Sequence, residues 1–223
     1  MANTNPKDFK TFLSLIPKEV LDKVWFFPIR SNRKVPDVPQ GTILKANSAY
    51  RLTPAQSYQR LKNGLNVGIY ALPQGLMFVD LDVSKGKIIA SQDILDALDS
   101  MNTLKVQTRN GGYQYYFVNS QNYPTQLLKE NKIIIGELRN NWSYVVSIGS
   151  YVDIDENNAQ GDGTYRILQL NSIKSFAGLT IAKTCTITNT DQKTSEWMHE
   201  KSENKISNEE MIRMRGNKIR VKI

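Results

Sequence analysis

The chain has 223 residues, of which 40% are hydrophobic and 22% are charged, so it can bury one substantial core or two small lobes that share one. No apolar run approaches the roughly 20 residues that a membrane span needs, and the polar N-terminus lacks a signal-peptide core. Cys185 is the only cysteine and His199 the only histidine, which excludes an internal disulfide and a zinc site of the usual type. We therefore expect a cytoplasmic protein.

The charge of the chain indicates an anionic partner. The formal net charge is +8 and the pI is about 9.4. Residues 184–223 carry +2 of this charge and residues 1–183 the remaining +6, so the basic excess lies mostly on the part with core-forming segments. Nucleic acid is the polyanion that such a balance favours.

In chain order, hydrophobic periodicity and turn residues predict four helices and eight strands. The helices are predicted at residues 6–16, 18–23, 54–63 and 91–101. The strands are predicted at residues 24–29, 67–71, 76–79, 104–108, 113–118, 132–138, 143–148 and 164–170. The turn Pro73-Gln74-Gly75 joins the second and third strands, which predicts a hairpin. Residues 31–46 form a long loop without periodicity, and such loops are often functional.

Two aspartates follow the apolar run at residues 76–79. Successive side chains on a strand point to opposite faces, so Asp80 and Asp82 project from the same face. Like charges held together raise each other's pKa, and a bound cation removes that repulsion. Paired carboxylates of this kind suit Mg²⁺ or Mn²⁺. The alternative is a solvated strand end that leads into a turn at residues 84–86.

A double glycine connects the strands predicted at residues 104–108 and 113–118. The adjacent Gly111 and Gly112 let a backbone turn sharply and approach a ligand without a Cβ in the way. Arg109 and Gln114 flank them and can then face a triphosphate, Arg109 through charge-assisted hydrogen bonds and Gln114 through neutral ones. A plain hairpin turn explains the same residues.

The strand predicted at residues 132–138 ends beside a carboxylate and a cation. Glu137 and Arg139 are two positions apart and therefore lie on one face of the strand. Glu137 either pairs with Arg139 or is a third metal ligand, as in phosphoryl-transfer sites where several carboxylates hold two cations.

Taken together, these segments resemble the bifunctional primase–polymerase (prim-pol) domain of the archaeo-eukaryotic primase superfamily. Members of this family are common on plasmids, viruses and integrated elements. The resemblance covers roughly residues 20–170 and depends on the order of several motifs. These motifs are Trp25-Phe26-Phe27-Pro28-Ile29, Lys34-Val35-Pro36, Asn66-Val67-Gly68-Ile69, Val79-Asp80-Leu81-Asp82, Thr108 to Phe117, Glu137-Leu138-Arg139, Val145 to Ser150 and Gly163-Thr164-Tyr165.

The resemblance implies an α/β (α+β) prim-pol fold. An N-terminal α/β lobe would pack on a mixed or antiparallel sheet like that of an RNA-recognition motif, with the active site in the cleft between them. We expect residues 1–183 to form this catalytic domain. Residues 184–223, where the core-forming pattern is lost, are expected to be a charged C-terminal tail or helix.

The resemblance also implies the site residues. Asp80, Asp82 and Glu137 are expected to be the catalytic carboxylates that hold Mg²⁺ or Mn²⁺. The residues expected to bind the nucleotide are Arg109, Gly111, Gly112, Gln114, Arg139 and Lys34. Two positions depart from the family: Glu137 replaces the usual aspartate and keeps a hard oxygen ligand, whereas Gln114 replaces a histidine that contacts the phosphates.

The implied activity is that of a DNA primase and DNA polymerase, a two-metal nucleotidyl transfer onto a template-directed 3′ end. The expected partners are a single-stranded or primed DNA template and NTPs or dNTPs, with a separate helicase or replication protein as a further candidate and no membrane. Because Gln114 lacks the charge of a protonated histidine, the alternative is a catalytically weak or inactive relative. Such a protein would act as a nucleic-acid-binding accessory in replication.

Overall fold

The structure is a computed structural model that describes residues 4–42, 48–84, 87–121, 123–154 and 161–176 and the backbone of residues 185–189. It has a mixed α/β architecture with few helices and mainly antiparallel sheets, which confirms the predicted fold class. The described residues belong to one unit, Met1–Asn189. None of the helices among them is long and apolar enough to cross a membrane.

Two of the three α-helices begin at residues whose side chains cap them. The α-helices are α1 (Pro6–Leu15), α2 (Pro54–Lys62) and α3 (Gln92–Ser100), and two 3₁₀ helices cover Lys18–Lys23 and Ser48–Tyr50. Asn5 accepts a hydrogen bond from the amide of Asp8 at the start of α1, and Thr53 and Gln56 form a capping box on α2. The helices therefore start where the sequence predicts.

Thirteen strands lie in the described residues, more than the eight predicted. They are β1 (Trp25–Ile29), β2 (Asn66–Tyr70), β3 (Leu76–Leu81), β4 (Val83–Ser84), β5 (Lys87–Ile88), β6 (Leu104–Gln107), β7 (Tyr113–Val118), β8 (Gln126–Glu130), β9 (Ile133–Arg139), β10 (Tyr144–Val146), β11 (Arg166–Gln169), β12 (Lys174–Ser175) and β13 (Cys185–Asn189).

The strands form two main sheets. An antiparallel three-stranded sheet has the order β1-β2-β10. An eight-stranded sheet has the order β11-β6-β7-β3-β9-β8-β13, and its eighth strand, β12, pairs parallel with β7. The short strands β4 and β5 pair with each other. The strand that carries Asp80, β3, lies at the centre of the large sheet.

The hairpin predicted between the second and third strands is wrong. The structure places β2 in the three-stranded sheet, paired with β1 and β10, whereas β3 pairs with β7 and β9. The connecting turn is closed by hydrogen bonds from the amide of Leu72 to the Leu76 carbonyl (3.1 Å) and from the amide of Gly75 to the Leu72 carbonyl (3.0 Å). Because each strand already has a partner on both edges, the turn carries the chain from one sheet to the other.

One face of β3 packs on α3. Met77, Val79 and Leu81 alternate along the strand and share a buried cluster with Ile94 and Leu98 of α3. Alternate residues of β3 therefore face α3, and the residues between them face the other side of the sheet.

The opposite face of β3 packs into the core between the two sheets. Leu76 and Phe78 belong to this cluster, and the ring of Tyr116 contacts both Phe78 and Phe12 at centroid distances of 4.7 and 5.4 Å. Asp80 is the next residue on this face. The carboxylate therefore lies where the core between the sheets ends.

A β-bulge interrupts the pairing of β9 with β8 close to Asp80. The pairing with β8 shifts so that Ile135 has no partner there, and its side chain joins the cluster under α3. At the next position, a Cβ on Gly136 would overlap the carbonyl oxygen of Asp80, so glycine allows β9 to approach β3 closely. Bulges are frequent beside active sites, and this one precedes Glu137.

The last described strand belongs to the segment that was predicted as a tail. The backbone of β13 pairs antiparallel with β8, from Cys185 opposite Glu130 to Asn189 opposite Gln126. Residues 190–223 lie outside the described residues, so the domain division after residue 183 and the form of the tail stay predictions.

Candidate active site

Strand register brings three of the predicted site residues into one row. Asp80 on the central strand β3 is the direct partner of Gln114 on β7 and of Glu137 on β9. Directly opposite residues lie on the same face, with Cβ atoms roughly 5 Å apart. Three segments that are far apart in the sequence therefore present an amide and two carboxylates side by side.

Arg139 forms ion pairs with both carboxylates of this row. Its Nε lies 3.0 Å from Asp80 Oδ2 and its Nη2 lies 2.9 Å from Glu137 Oε2. Burial opposes the charge of Arg139, but Asp80 and Glu137 outweigh that effect and raise its pKa above the ordinary value. The pairing of Glu137 with Arg139, one of the two alternatives that the sequence leaves open, is thus present and extends to Asp80.

Asp82 lies one step beyond the row, just after the end of β3. Its backbone is fixed by a hydrogen bond from its amide to the Ile135 carbonyl (2.9 Å), while the residue itself is exposed. Desolvation of the carboxyl, followed by repulsion from Asp80 and Glu137, raises the pKa of Asp82 to about 6. Solvent reaches Asp82, which weakens the effect of desolvation on its pKa. The repulsion from Asp80 and Glu137 follows directly from the arrangement of the three carboxylates.

Two further cations surround the row of Asp80, Gln114 and Glu137, which we call the acidic row. Partial desolvation lowers the pKa of the Lys34 ammonium although the residue has exposed surface, and its charge interacts with Asp80, Arg109 and Arg139. Arg109 is half-buried: its Nη1 donates a 2.6 Å hydrogen bond to the Asp153 carbonyl, and its Nε has no hydrogen-bond partner among the described residues. The structure therefore brings together all three cations that the sequence suggested for a triphosphate.

The double glycine is explained by the turn in which it lies. The amide of Thr108 donates to the Gly112 carbonyl (2.8 Å), and the amide of Gly111 donates to the Thr108 carbonyl (2.9 Å). Gly111 has a φ of +93°, and a Cβ on Gly112 would lie 2.6 Å from the Leu81 carbonyl oxygen. The absence of side chains therefore serves a tight turn packed against the end of β3. A role of these glycines in binding nucleotide stays a prediction.

Gln114 is almost fully buried beneath the site. It is 2% exposed, and its Oε1 has no hydrogen-bond partner within the described residues. The hydroxyl of Tyr116, two residues along β7 on the same face, is also buried without a partner there. Buried polar atoms in proteins are nearly always hydrogen-bonded, so two unpaired atoms beside Asp80 are unusual.

Three tyrosines to which the sequence analysis gives no role approach the site. Burial raises the pKa of the hydroxyls of Tyr116 and Tyr165, and the charge of Asp80 raises both further. The hydroxyl of Tyr144 donates a 3.1 Å hydrogen bond to the Lys34 carbonyl. Tyr116 could have been found from its position two residues after Gln114, whereas the other two depend on contacts between distant segments.

The predicted metal ligands fit a divalent cation in their chemistry. Asp80, Asp82 and Glu137 offer hard oxygen donors and repel one another electrostatically, which a cation relieves. Across the part of the chain that the structure describes, however, no three His, Cys, Asp or Glu side chains form a ready-made metal-binding group. Arg139 already contacts two of the three carboxylates, so a bound cation would have to share or replace its contacts.

Comparison with known proteins finds a family that this chain matches over most of its length. A family model described as "Bifunctional DNA primase/polymerase, N-terminal" matches residues 19–179, which include every residue of the candidate site. No curated protein matches the chain at a significant level.

Proposed function

Since this chain belongs to the bifunctional DNA primase/polymerase family, we propose that it is a template-dependent nucleotidyltransferase that primes or extends DNA for a plasmid, virus or integrated element. The family itself supports a primase- or polymerase-like role in replication. The observation that carries the proposal is the row of Asp80, Gln114 and Glu137 on three adjacent strands, ringed by cations. A DNA template and nucleoside triphosphates are the corresponding partners, with a separate helicase as a further candidate.

In this proposal Asp80, Asp82 and Glu137 hold Mg²⁺ or Mn²⁺. Bound there, the cations would activate the attacking 3′-hydroxyl and stabilise the charge of the pyrophosphate leaving group. The fit of the carboxylates supports this role: Asp80 and Glu137 lie directly opposite each other across paired strands, and Asp82 follows just beyond the end of β3.

The cations of the chain bind and orient the nucleotide in this proposal. Arg139 has a planar fork of donors that matches phosphate oxygens, and it already lies between Asp80 and Glu137. Lys34 interacts electrostatically with Arg109 and with Asp80. The positive charges of Lys34 and Arg109 would hold the triphosphate near the carboxylates, and the side-chain amide of Gln114 would contribute a neutral hydrogen bond where relatives use histidine.

Primer extension tests the proposal. With Mn²⁺, a primed template and dNTPs, the wild-type protein should lengthen the primer, and Asp80→Asn combined with Asp82→Asn should reduce the rate far more than tenfold because metal ligation is lost. Asp96→Asn is the matched control, since Asp96 is exposed on α3, on the other side of the sheet. Equal product ladders from the wild type and the double variant would refute the assignment.

A second candidate function is a non-catalytic replication accessory protein that binds nucleic acid. Two observations favour it: Arg139 already neutralises two of the carboxylates, and Gln114 carries no charge. Thermal unfolding with Mn²⁺ and nucleotide separates the two functions, because a ligand that binds the folded state raises the midpoint temperature. An accessory protein of this kind would show salt-dependent binding of single strands, no shift of its midpoint and no synthesis.

A further inference from the structure

One face of the three-stranded sheet carries four aromatic side chains in mutual contact. We call Trp25, Tyr70, Trp142 and Tyr144 the aromatic row. Trp25 and Tyr144 both lie directly opposite Tyr70 on its two neighbouring strands, with ring centroids 6.3 and 6.1 Å from that of Tyr70. Trp142 closes the group at 5.5 Å from Trp25 and 5.8 Å from Tyr70.

The aromatic row begins at the candidate active site. The Tyr144 hydroxyl donates to the Lys34 carbonyl at 3.1 Å, and the charge of Arg139 acts on the same phenol. Lys34 and Arg139 are two of the three cations around the acidic row. The contacts then continue from Tyr144 through Tyr70 and Trp142 to Trp25, so the row leads away from the site over the surface of the sheet.

The far end of the aromatic row carries a positive charge. The guanidinium carbon of Arg51 lies 5.4 Å from the centroid of the Trp25 ring, and its Nη2 donates a 2.9 Å hydrogen bond to the Asp22 carbonyl. These contacts fix Arg51 without neutralising it, because none of the ion pairs within the described residues includes this side chain. A cation held over an aromatic ring suits a polyanion with planar groups.

The aromatic row is accessible, and Trp142 occupies an unfavourable backbone position. Trp25, Trp142 and Tyr144 are half-buried, whereas Tyr70 is buried beneath them. Trp142 has a φ of +70° and follows Asn141 at +53°, in a turn closed by a hydrogen bond from the Ser143 amide to the Asn140 carbonyl. Glycine or asparagine normally occupies such a position. The backbone of this turn therefore does not itself favour a tryptophan, whose half-buried ring packs on Trp25 and Tyr70.

We propose that the aromatic row is a stacking platform for the bases of a single-stranded nucleic acid that enters or leaves the candidate active site. Every base has a flat π face, so stacking on these rings requires no particular sequence, and Arg51 would hold a backbone phosphate beside them. A duplex cannot use the platform, since its bases are already stacked on one another. That the bound strand is a replication template rests on the proposed function; the binding of single strands does not.

Trp142→Gly is the sharpest test, because glycine suits the φ of this turn and removes only the indole. Anisotropy of a labelled oligothymidine should show affinity weakened roughly five- to hundredfold, the range for losing one base–aromatic stack. Trp142→Phe, which keeps a ring, should recover part of the affinity. Tyr58→Leu is the control: Tyr58 is a half-buried tyrosine of α2 with no ring contact among the described residues. Unchanged affinity of Trp142→Gly would overturn the proposal.

Tryptophan fluorescence gives a second measurement of binding, for which all four side chains of the aromatic row are kept. In a Trp197→Phe background, only Trp25 and Trp142 emit, so stacked bases should quench the emission and duplex DNA should not. Absence of quenching at saturating oligothymidine would also overturn the platform. If Trp142→Gly loses affinity while the wild type makes no product, the platform stands and the proposed enzyme activity fails. If Trp142→Gly binds and extends primers normally, the platform fails and the enzyme stands.

Discussion

Replacing Arg139 tests the electrostatics of the acidic row directly. Arg139→Met keeps much of the aliphatic length of the side chain and removes the guanidinium, which lies 3.0 Å from Asp80 Oδ2 and 2.9 Å from Glu137 Oε2. The two carboxylates then face each other across β3 and β9 without a shared counter-charge. We expect the free energy of unfolding to fall.

The size of this loss follows from Coulomb's law. The repulsion between Asp80 and Glu137 is present in both proteins, so the loss comes from the two attractions to Arg139. Opposite unit charges about 4 Å apart attract by about 4 kcal/mol at an effective dielectric constant of about 20, and by about 1 kcal/mol in bulk water. The side chains of Asp80 and Glu137 are 18% and 31% exposed, so the site lies between these limits. Because the variant no longer desolvates a guanidinium, part of the lost attraction is offset, and the expected net loss is about 2–4 kcal/mol.

Urea unfolding at low ionic strength, followed by tryptophan fluorescence in EDTA, measures this loss. Salt should reduce the difference between Arg139→Met and the wild type, since the attraction that the variant loses is partly screened. Arg166→Met is the control, because it breaks an ion pair with Asp162 whose side chains are 41% and 53% exposed. That variant should lose less than about 1 kcal/mol. If Arg139→Met is as stable as the wild type in EDTA, the guanidinium does not stabilise the two carboxylates as its contacts require.

Three further substitutions test neighbouring features. Gly136→Ala should destabilise the fold by about 1–3 kcal/mol or more, because the added Cβ overlaps the Asp80 carbonyl oxygen. If the variant is as stable in urea as the wild type, β9 does not approach β3 this closely. Gln114→Leu should raise stability by about 1 kcal/mol, since it removes a buried acceptor without a partner, yet raise the nucleotide KM roughly tenfold or more. Gln114→His should preserve the rate of primer extension, and any gain in rate should be larger at lower pH, where more of the imidazole is charged. If Gln114→Leu has the same kinetics as the wild type, Gln114 takes no part in binding the nucleotide.

The sequence revealed the members of the acidic row better than their arrangement. The alternation of β3 places Asp80 and Asp82 on one face, and this needs only the local pattern. That Gln114 and Glu137 are the partners of Asp80 depends on register between strands separated by tens of residues, which no local pattern encodes. The position of Lys34 likewise depends on how the loop after β1 folds back, with the Arg30 amide bonded to the Val35 carbonyl at 2.9 Å.

The missed strand β8 and the wrong hairpin have physical explanations. β8 is joined to β9 by Asn131 and Lys132, whose φ values are +49° and +69°, without the glycine that usually marks such a turn. Conversely, Pro73-Gln74-Gly75 has typical turn residues, but a turn signal does not specify whether its flanking strands pair with each other. Edge-strand β13 was missed because its threonine-rich segment has little apolar content.

Mn²⁺ added to the Arg139→Met experiment separates the two candidate functions. Both predict the loss of stability in EDTA, because that loss depends only on the contacts of the Arg139 guanidinium with Asp80 and Glu137. If these carboxylates and Asp82 hold a divalent cation, Mn²⁺ at 100 times its Kd should restore about 2.7 kcal/mol to the variant. The wild type should gain less, since its guanidinium competes for the same oxygens. An accessory protein that uses the row only as an ion pair should respond to Mn²⁺ no more than to NaCl of equal ionic strength.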